Sequence, residues 1–223
     1  MKIIVLLLSS ILAQHSFTVS FDNESLIQPD LFTNDSFVGT YNSFKKDCYK
    51  GSEKINKINI GIFPSAQLVS LYKKGLPVHI NSIFKEVNKI TIGQVNIQLV
   101  PILYKVPKFT SINVLGDLSA MVRTLMRTKD KQASYNLFLH NGYSGIVGAS
   151  YIGVIYNKSG LNVGVSRDNY VVVAHEILHG FGCQHTFSTG GIMSYQNQLI
   201  NGLFQMSEEN RPQICGFLKF IYK

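Results

Sequence analysis

Residues 175–185 read His-Glu-Ile-Leu-His-Gly-Phe-Gly-Cys-Gln-His. On a helix, His175 and His179 are four residues apart and lie on one face, so both imidazoles can bind one Zn²⁺ from the same side. Glu176 projects beside this pair and is placed to accept a proton from a zinc-bound water. An open position for that water requires three protein ligands, which makes His185 the predicted third ligand.

The chain must turn between the second and third histidines, because ten residues of straight helix would carry His185 too far from His175. Gly182 is the predicted turn residue, since glycine adopts a positive φ at no steric cost. The three valines 171–173 alone would favour a strand, but the ligand spacing predicts a helix buried on all sides. The alternative is a buried helix with core histidines. It is disfavoured because half of the six histidines fall in this segment.

Hydrophobic periodicity before and after this segment predicts alternating strands and helices, and therefore an α/β domain with a mixed sheet and helices on its faces. A Gly-interrupted, β-rich stretch at 146–155 favours an edge strand or bulge. The predicted strands are 56–63, 94–104 and 136–140, and the predicted helices are 79–90, one capped by Asp117, and one beginning at Asn210 with the stripe Ile214, Phe217, Leu218 and Ile221.

The N-terminal residues 1–20 are predicted to be a cleaved secretory signal. Lys2 precedes an apolar run, 3–13, that is too short to span about 30 Å of hydrocarbon. An uncleaved signal anchor is the alternative. Residues 21–54 are polar and are interpreted as a linker or short pro-segment. Residues 55–223 are interpreted as one globular domain. We therefore expect a secreted, extracellular protein without a stable membrane anchor.

The composition excludes several classes of protein. The chain has 223 residues, 45% hydrophobic, so a sizeable core can form. The net charge is +8, but the basic residues are scattered, which argues against a nucleic-acid partner. Only three cysteines are present, which excludes a disulfide-dense scaffold. We expect a monomer.

The eleven residues 175–185 match the long zinc signature of the metzincin metallopeptidases, and Ile192-Met193-Ser194-Tyr195 resembles their Met-turn. Residues 59–72, 79–104 and 134–142 resemble the first strand, first helix and next two strands of reprolysin-type (adamalysin/ADAM) domains. The resemblance covers roughly 55–220. It implies a mostly parallel twisted sheet with an antiparallel edge strand, a buried active-site helix and a small C-terminal subdomain ending in a helix.

The resemblance also implies a function, a secreted zinc endopeptidase that hydrolyses peptide bonds with a zinc-activated water and Glu176 as general base. The stretch 148–153 resembles the family's substrate-binding edge strand. A protein or peptide substrate would add there as an antiparallel strand along Ala149, Ser150 and Tyr151. The alternative is a catalytically silent zinc-binding adhesion or decoy module. Such relatives commonly lose the glutamate, which this chain retains.

Three residues depart from the reprolysin pattern. Thr186 stands where reprolysins usually carry Asp after the third histidine. Tyr195 is more typical of astacins and serralysins, in which this tyrosine contacts the zinc or the transition state. The alternative is that its hydroxyl only packs in the pocket wall. Tyr135 replaces an acidic, calcium-associated residue, which argues against a structural calcium ion.

The resemblance suggests roles for the three cysteines. In a reprolysin-like arrangement the C-terminal helix packs beneath the active-site helix, which would bring Cys183 near Cys215 for a disulfide that pins the turn before His185. Cys48 would then remain for a pro-segment switch, in which a thiolate silences the zinc, as in many metzincin zymogens. The alternatives are a buried free thiol for Cys215, and a solvent-exposed thiol or an intermolecular link for Cys48.

Overall fold

The computed structural model describes residues 56–95, 97–103, 133–141, 148–155, 162–186, 191–194, 206–207 and 209–221. Five strands and four α-helices lie within these ranges. The strands are β1 (Asn56–Pro64), β2 (Ile97–Leu103), β3 (Tyr135–His140), β4 (Gly148–Ser150) and β5 (Val163–Arg167), and the helices are α1 (Ala66–Tyr72), α2 (Leu76–Val95), α3 (Tyr170–Gly180) and α4 (Asn210–Ile221).

The five strands form one sheet in the order β2-β1-β3-β5-β4. Strand β1 pairs in parallel with β2 and with β3, and β3 pairs in parallel with β5. Strand β4 pairs antiparallel with β5, with Ala149 opposite Val165. All six residues of β3 are buried, which is typical of a central strand covered on both faces. The predicted α/β class, with a mostly parallel sheet and an antiparallel edge strand, is confirmed.

Helix α2 buries the apolar stripe that the sequence predicts. Ile80, Ile83, Phe84 and Val87 are at most 5% exposed, so this face packs against the sheet. The helix is longer than predicted, because it begins at Leu76 and continues to Val95. The predicted strand 94–104 therefore begins only at Ile97.

Helix α1 was not predicted from the periodicity. It is a seven-residue helix directly after β1, and its first turn is capped by Ser65, whose side chain accepts a hydrogen bond from the Leu68 backbone N–H at 3.1 Å. Leu68 and Val69 are its buried residues. Ser65, three residues before the apolar pair Leu68 and Val69, was the signal that could have indicated this helix.

Helix α3 carries the first two histidines of the motif and is buried along most of its length, as predicted. It begins because the Asn169 side chain accepts a hydrogen bond from the Val171 backbone N–H at 2.9 Å. Just before this cap, Asp168 lies 3.2 Å from Nε2 of His79 on α2. This contact ties the start of α3 to the neighbouring helix.

Several predictions fall on residues outside the described ranges: the signal 1–20, the segment 21–54, the helix after Asp117, and the residues Cys48 and Tyr195. Helix α4 begins at Asn210, as predicted. Within the described ranges, no helix combines the length and apolar character needed to cross a bilayer.

Candidate metal centre

Three imidazoles converge where α3 ends. Nε2 of His185 lies 3.0 Å from Nε2 of His175 and 3.2 Å from Nε2 of His179, and the three ligand atoms all lie within 4.8 Å of one another. Tetrahedral coordination with Zn–N bonds of about 2.05 Å separates two ligand nitrogens by about 3.3 Å. The spacing of these nitrogens therefore matches a single zinc ion bound by His175, His179 and His185.

The Nδ1 atoms of His175 and His179 show which nitrogen of each ring is available to a metal ion. Nδ1 of His175 donates to the Ile192 carbonyl oxygen at 2.7 Å, and Nδ1 of His179 donates to the Cys183 carbonyl oxygen at 2.7 Å. A carbonyl can only accept, so in the neutral rings the proton sits on Nδ1 and the lone pair on Nε2. Lone pairs of two rings facing the same point are the donor set that a cation requires.

The environment keeps these rings neutral. Desolvation by burial lowers the pKa of His175 and of His185, and it lowers the pKa of His179 to about 4. Each ring is thus neutral near pH 7, the state in which imidazole binds a metal.

The turn that redirects the chain toward His185 is a Schellman motif. Gly182 has φ +96°, its N–H donates to the His179 carbonyl at 2.8 Å, and the N–H of Cys183 donates to the Leu178 carbonyl at 3.0 Å. The predicted turn glycine is therefore in the left-handed region, as the argument from the sequence required.

Residues 191–194 form a tight turn beside the metal centre. Thr186 N–H donates to the Met193 carbonyl at 3.1 Å, and Ser194 donates to the Gly191 carbonyl through its N–H and its hydroxyl. Met193 is fully buried. The turn supplies the Ile192 carbonyl that orients His175, so it helps hold the ligands as well as fill space beneath them.

Glu176 lies next to the first ligand and is 4% exposed. Desolvation raises its pKa to about 8, and among the described residues its Oε2 has no hydrogen-bond partner. Its carboxyl group packs against Gly148, the first residue of β4: a Cβ added at Gly148 would lie 2.8 Å from the Glu176 Cγ and Cδ atoms. The candidate base is therefore in contact with the edge strand.

The edge strand is held by a buried tyrosine. Tyr135 on β3 is fully buried, and its hydroxyl lies 2.5 Å from the Ser150 hydroxyl on β4. The Tyr135 side chain packs against Gly164 on the intervening strand β5. A Cβ added at Gly164 would collide with the phenol oxygen of Tyr135. Ala149 and Ser150 are half-buried and Tyr151 is 38% exposed, at the outermost of the described strands.

The predicted Cys183–Cys215 disulfide is wrong. Cys183 is a free, buried thiol at the C-terminal end of the Schellman motif, and Cys215 on α4 is disulfide-bonded. Burial raises the pKa of the Cys183 thiol. The prediction failed because α4 reaches the turn with polar side chains: Gln213 and Asn210 contact the Gln184 backbone.

Three contributions to the site were missed: the contact of Gly148 with Glu176, the Tyr135–Ser150 contact, and the amides of α4. The sequence carried a signal for Asn210 only as a helix start. The contacts of Gly148 and Tyr135 depend on strand order, which periodicity does not specify.

Comparison with known proteins agrees with this site. The family model for metallopeptidase family M12B, reprolysin-like, matches residues 78–186, a segment that contains all three histidines and Glu176. The resemblance to the reprolysin-like metzincins is confirmed. The three-histidine centre of this chain fits one zinc ion.

A solved structure shares its fold. Metalloproteinase-II from Bacteroides fragilis superposes with a TM-score of 0.53 at 18% identity, over 75% of this chain and 55% of that chain. The chain thus spans about half the length of that protein. Archaemetzincin from Methanopyrus kandleri matches with a TM-score of 0.47 at 16% identity, over 76% of this chain and 99% of that chain. No curated protein matches the sequence significantly.

Proposed function

We propose that this protein is a secreted zinc-dependent endopeptidase. The observation that carries the proposal is the convergence of three Nε2 atoms, from His175, His179 and His185, next to the buried carboxyl group of Glu176. A zinc ion held by these nitrogens would supply Lewis-acid polarisation of a carbonyl group and would lower the pKa of a bound water molecule.

The chain's own residues have distinct roles in this proposal. In its ionised form Glu176 accepts the proton of the attacking water and afterwards donates it to the leaving amine. The carbonyls of Ile192 and Cys183 keep two imidazoles in the tautomer that binds metal. A role for Tyr195 in stabilising the developing negative charge remains part of the proposal.

Endopeptidase action is supported by β4, the outermost of the described strands. An extended peptide can add to such an edge through backbone hydrogen bonds, along Ala149, Ser150 and Tyr151. Its chain would then pass the Glu176 carboxyl group, because Gly148 at the start of the same strand contacts that group. Secretion is supported by the apolar run 3–13 after Lys2.

The test replaces Glu176 with Gln, which keeps the shape of the side chain and removes the base. Hydrolysis of a peptide library blocked at both termini should fall by about 10²–10⁴-fold, while zinc content measured by atomic absorption stays at one per chain. Blocked termini prevent exopeptidase action, so cleavage of these peptides by the wild type tests the endopeptidase assignment directly.

Glu86→Gln is the matched control, because Glu86 lies on α2 and pairs with Lys89 at 2.7 Å, away from the histidines. It should leave turnover unchanged. A zinc-loaded wild type that cleaves no peptide would support the silent adhesion or decoy module instead. Unchanged turnover in Glu176→Gln would refute the assigned base.

A further inference from the structure

The backbone of Gln184, the residue before the third histidine, is held on both sides by α4. Its N–H donates to Oε1 of Gln213 at 2.8 Å, and its carbonyl oxygen accepts from Nδ2 of Asn210 at 2.9 Å. The two amides also contact each other, since Nδ2 of Asn210 donates to Oε1 of Gln213 at 3.1 Å. Asn210 is fully buried, and the Ser207 hydroxyl donates to its Oδ1 at 3.1 Å.

These hydrogen bonds between the side chains of Asn210 and Gln213 and the Gln184 backbone form a clamp, which lies just beyond the C-terminal end of α3. The Schellman motif stops at Cys183, and three residues further on Thr186 N–H donates to the Met193 carbonyl. Between these two points the chain carries only Gln184 and His185. The direction of the His185 imidazole therefore depends on how the Gln184 peptide and Thr186 are held.

His175 and His179 sit on α3, and each has its Nδ1 bonded to a backbone carbonyl. His185 lies beyond the end of α3, directly after the peptide group that α4 holds. The Gln184 side chain is exposed, so what α4 recognises is the peptide group itself.

We propose that Asn210 and Gln213 are positioning residues for the zinc site: they clamp the Gln184 peptide and thereby aim His185 at the metal. Neither amide is a metal ligand. The α4 amides thus perform the task that a disulfide to Cys183 would have performed. Groups that orient ligands without touching the metal typically change metal affinity by 10–100-fold when they are removed.

Charge-matched substitutions separate this role from general packing. Gln213→Glu keeps an acceptor oxygen for the Gln184 N–H and should bind zinc as tightly as the wild type. Asn210→Asp has nearly the same size, but it loses the donor to the Gln184 carbonyl and should weaken zinc binding by at least 10-fold. Both variants add one negative charge, so their difference reports hydrogen bonding rather than net charge.

Gln213→Ala removes the acceptor at a half-buried position and should also weaken binding by 10–100-fold, even if Asn210→Asp does not fold. Gln67→Ala, at an exposed amide on α1, is the control and should have no effect. Zinc affinity is measured by competition with a chromophoric chelator. The melting temperatures of the metal-free and zinc-loaded forms are measured in parallel.

The expected result is a smaller zinc-induced rise in Tm in Gln213→Ala, because weaker binding stabilises the folded state less. Wild-type zinc affinity in Gln213→Ala would overturn the proposal. So would an equal loss of Tm in the metal-free and zinc-loaded forms without a change in affinity, since that pattern indicates only docking of α4. These readouts measure metal binding and do not require peptidase activity.

Discussion

Gly148→Ala should impair catalysis without removing zinc, because it places a methyl group where the Glu176 carboxyl group lies. The added Cβ would be 2.8 Å from the Glu176 Cγ and Cδ atoms and closer still to Oε1, whereas ordinary van der Waals contact begins near 3.4 Å. The carboxyl carbon would have to move by roughly 0.6 Å to reach ordinary contact, and the carboxyl oxygen would have to move by a distance on the order of 1 Å. Glu176 is buried, so this movement displaces the base from its position beside His175.

A displacement of about 1 Å in a catalytic group can cost about 10²-fold in rate, which corresponds to about 2.7 kcal/mol of transition-state stabilisation. We therefore expect kcat/KM on a doubly blocked peptide to fall about 100-fold in Gly148→Ala, with one zinc per chain retained. The two quantities are measured on the same preparation by fluorescence assay and atomic absorption.

Gly75→Ala is the matched control, because an added Cβ at this exposed glycine meets nothing within 4 Å. It should leave kcat/KM and zinc content unchanged. Wild-type kcat/KM in Gly148→Ala would refute the argument that the edge strand holds the base in position. Loss of zinc in Gly148→Ala would show instead that the substitution disturbs the ligands.

Two further predictions concern residues away from the ligands. Burial raises the pKa of Tyr135 above 10.0, so above pH 10 the folded state keeps a proton that the unfolded state loses. The free energy of unfolding should therefore fall above pH 10 by up to about 1.4 kcal/mol per pH unit. Tyr135→Phe should lack this contribution and lose about 1 kcal/mol at neutral pH with the Ser150 hydrogen bond. Urea unfolding from pH 7 to 11 measures both, and an identical pH slope in the variant would contradict the assignment. Cys183 is a free thiol, Cys215 is disulfide-bonded and the chain has three cysteines, so we expect Cys48 to be the partner of Cys215. Peptide mapping should recover both only after reduction, whereas a free Cys48 thiol in the folded protein would contradict the pairing and favour the zinc switch.

The sequence was sufficient for the ligands because the chemistry of a three-histidine site restricts local spacing. Two ligands on one helix face must be four residues apart, and a third must follow a turn, so Gly182 could be predicted before its φ of +96° was known. The same constraint overrode the strand preference of valines 171–173, which lie in α3. Both predictions involve residues close together in the chain.

Contacts between distant segments were not predictable in the same way. A helix packed beneath the turn was expected to bring Cys215 close to Cys183. Helix α4 instead contacts the turn through Asn210 and Gln213. Rotating α4 by a fraction of a turn about its axis would exchange these side chains. Periodicity identifies the apolar face of a helix, but it does not determine which neighbouring polar residue lies against a given peptide group.

The three ligands are oriented by three different parts of the chain, and this has a consequence for assembly of the site. Ile192 in the 191–194 turn orients His175, Cys183 at the end of α3 orients His179, and α4 holds the peptide before His185. Only the second of these supports is local to its ligand. Because the other two must be docked before three lone pairs face one point, zinc binding requires the tertiary packing of the C-terminal part and in turn stabilises it. The eleven-residue motif therefore specifies which residues bind the metal, while Ile192, Asn210 and Gln213 supply contacts that make those residues a site.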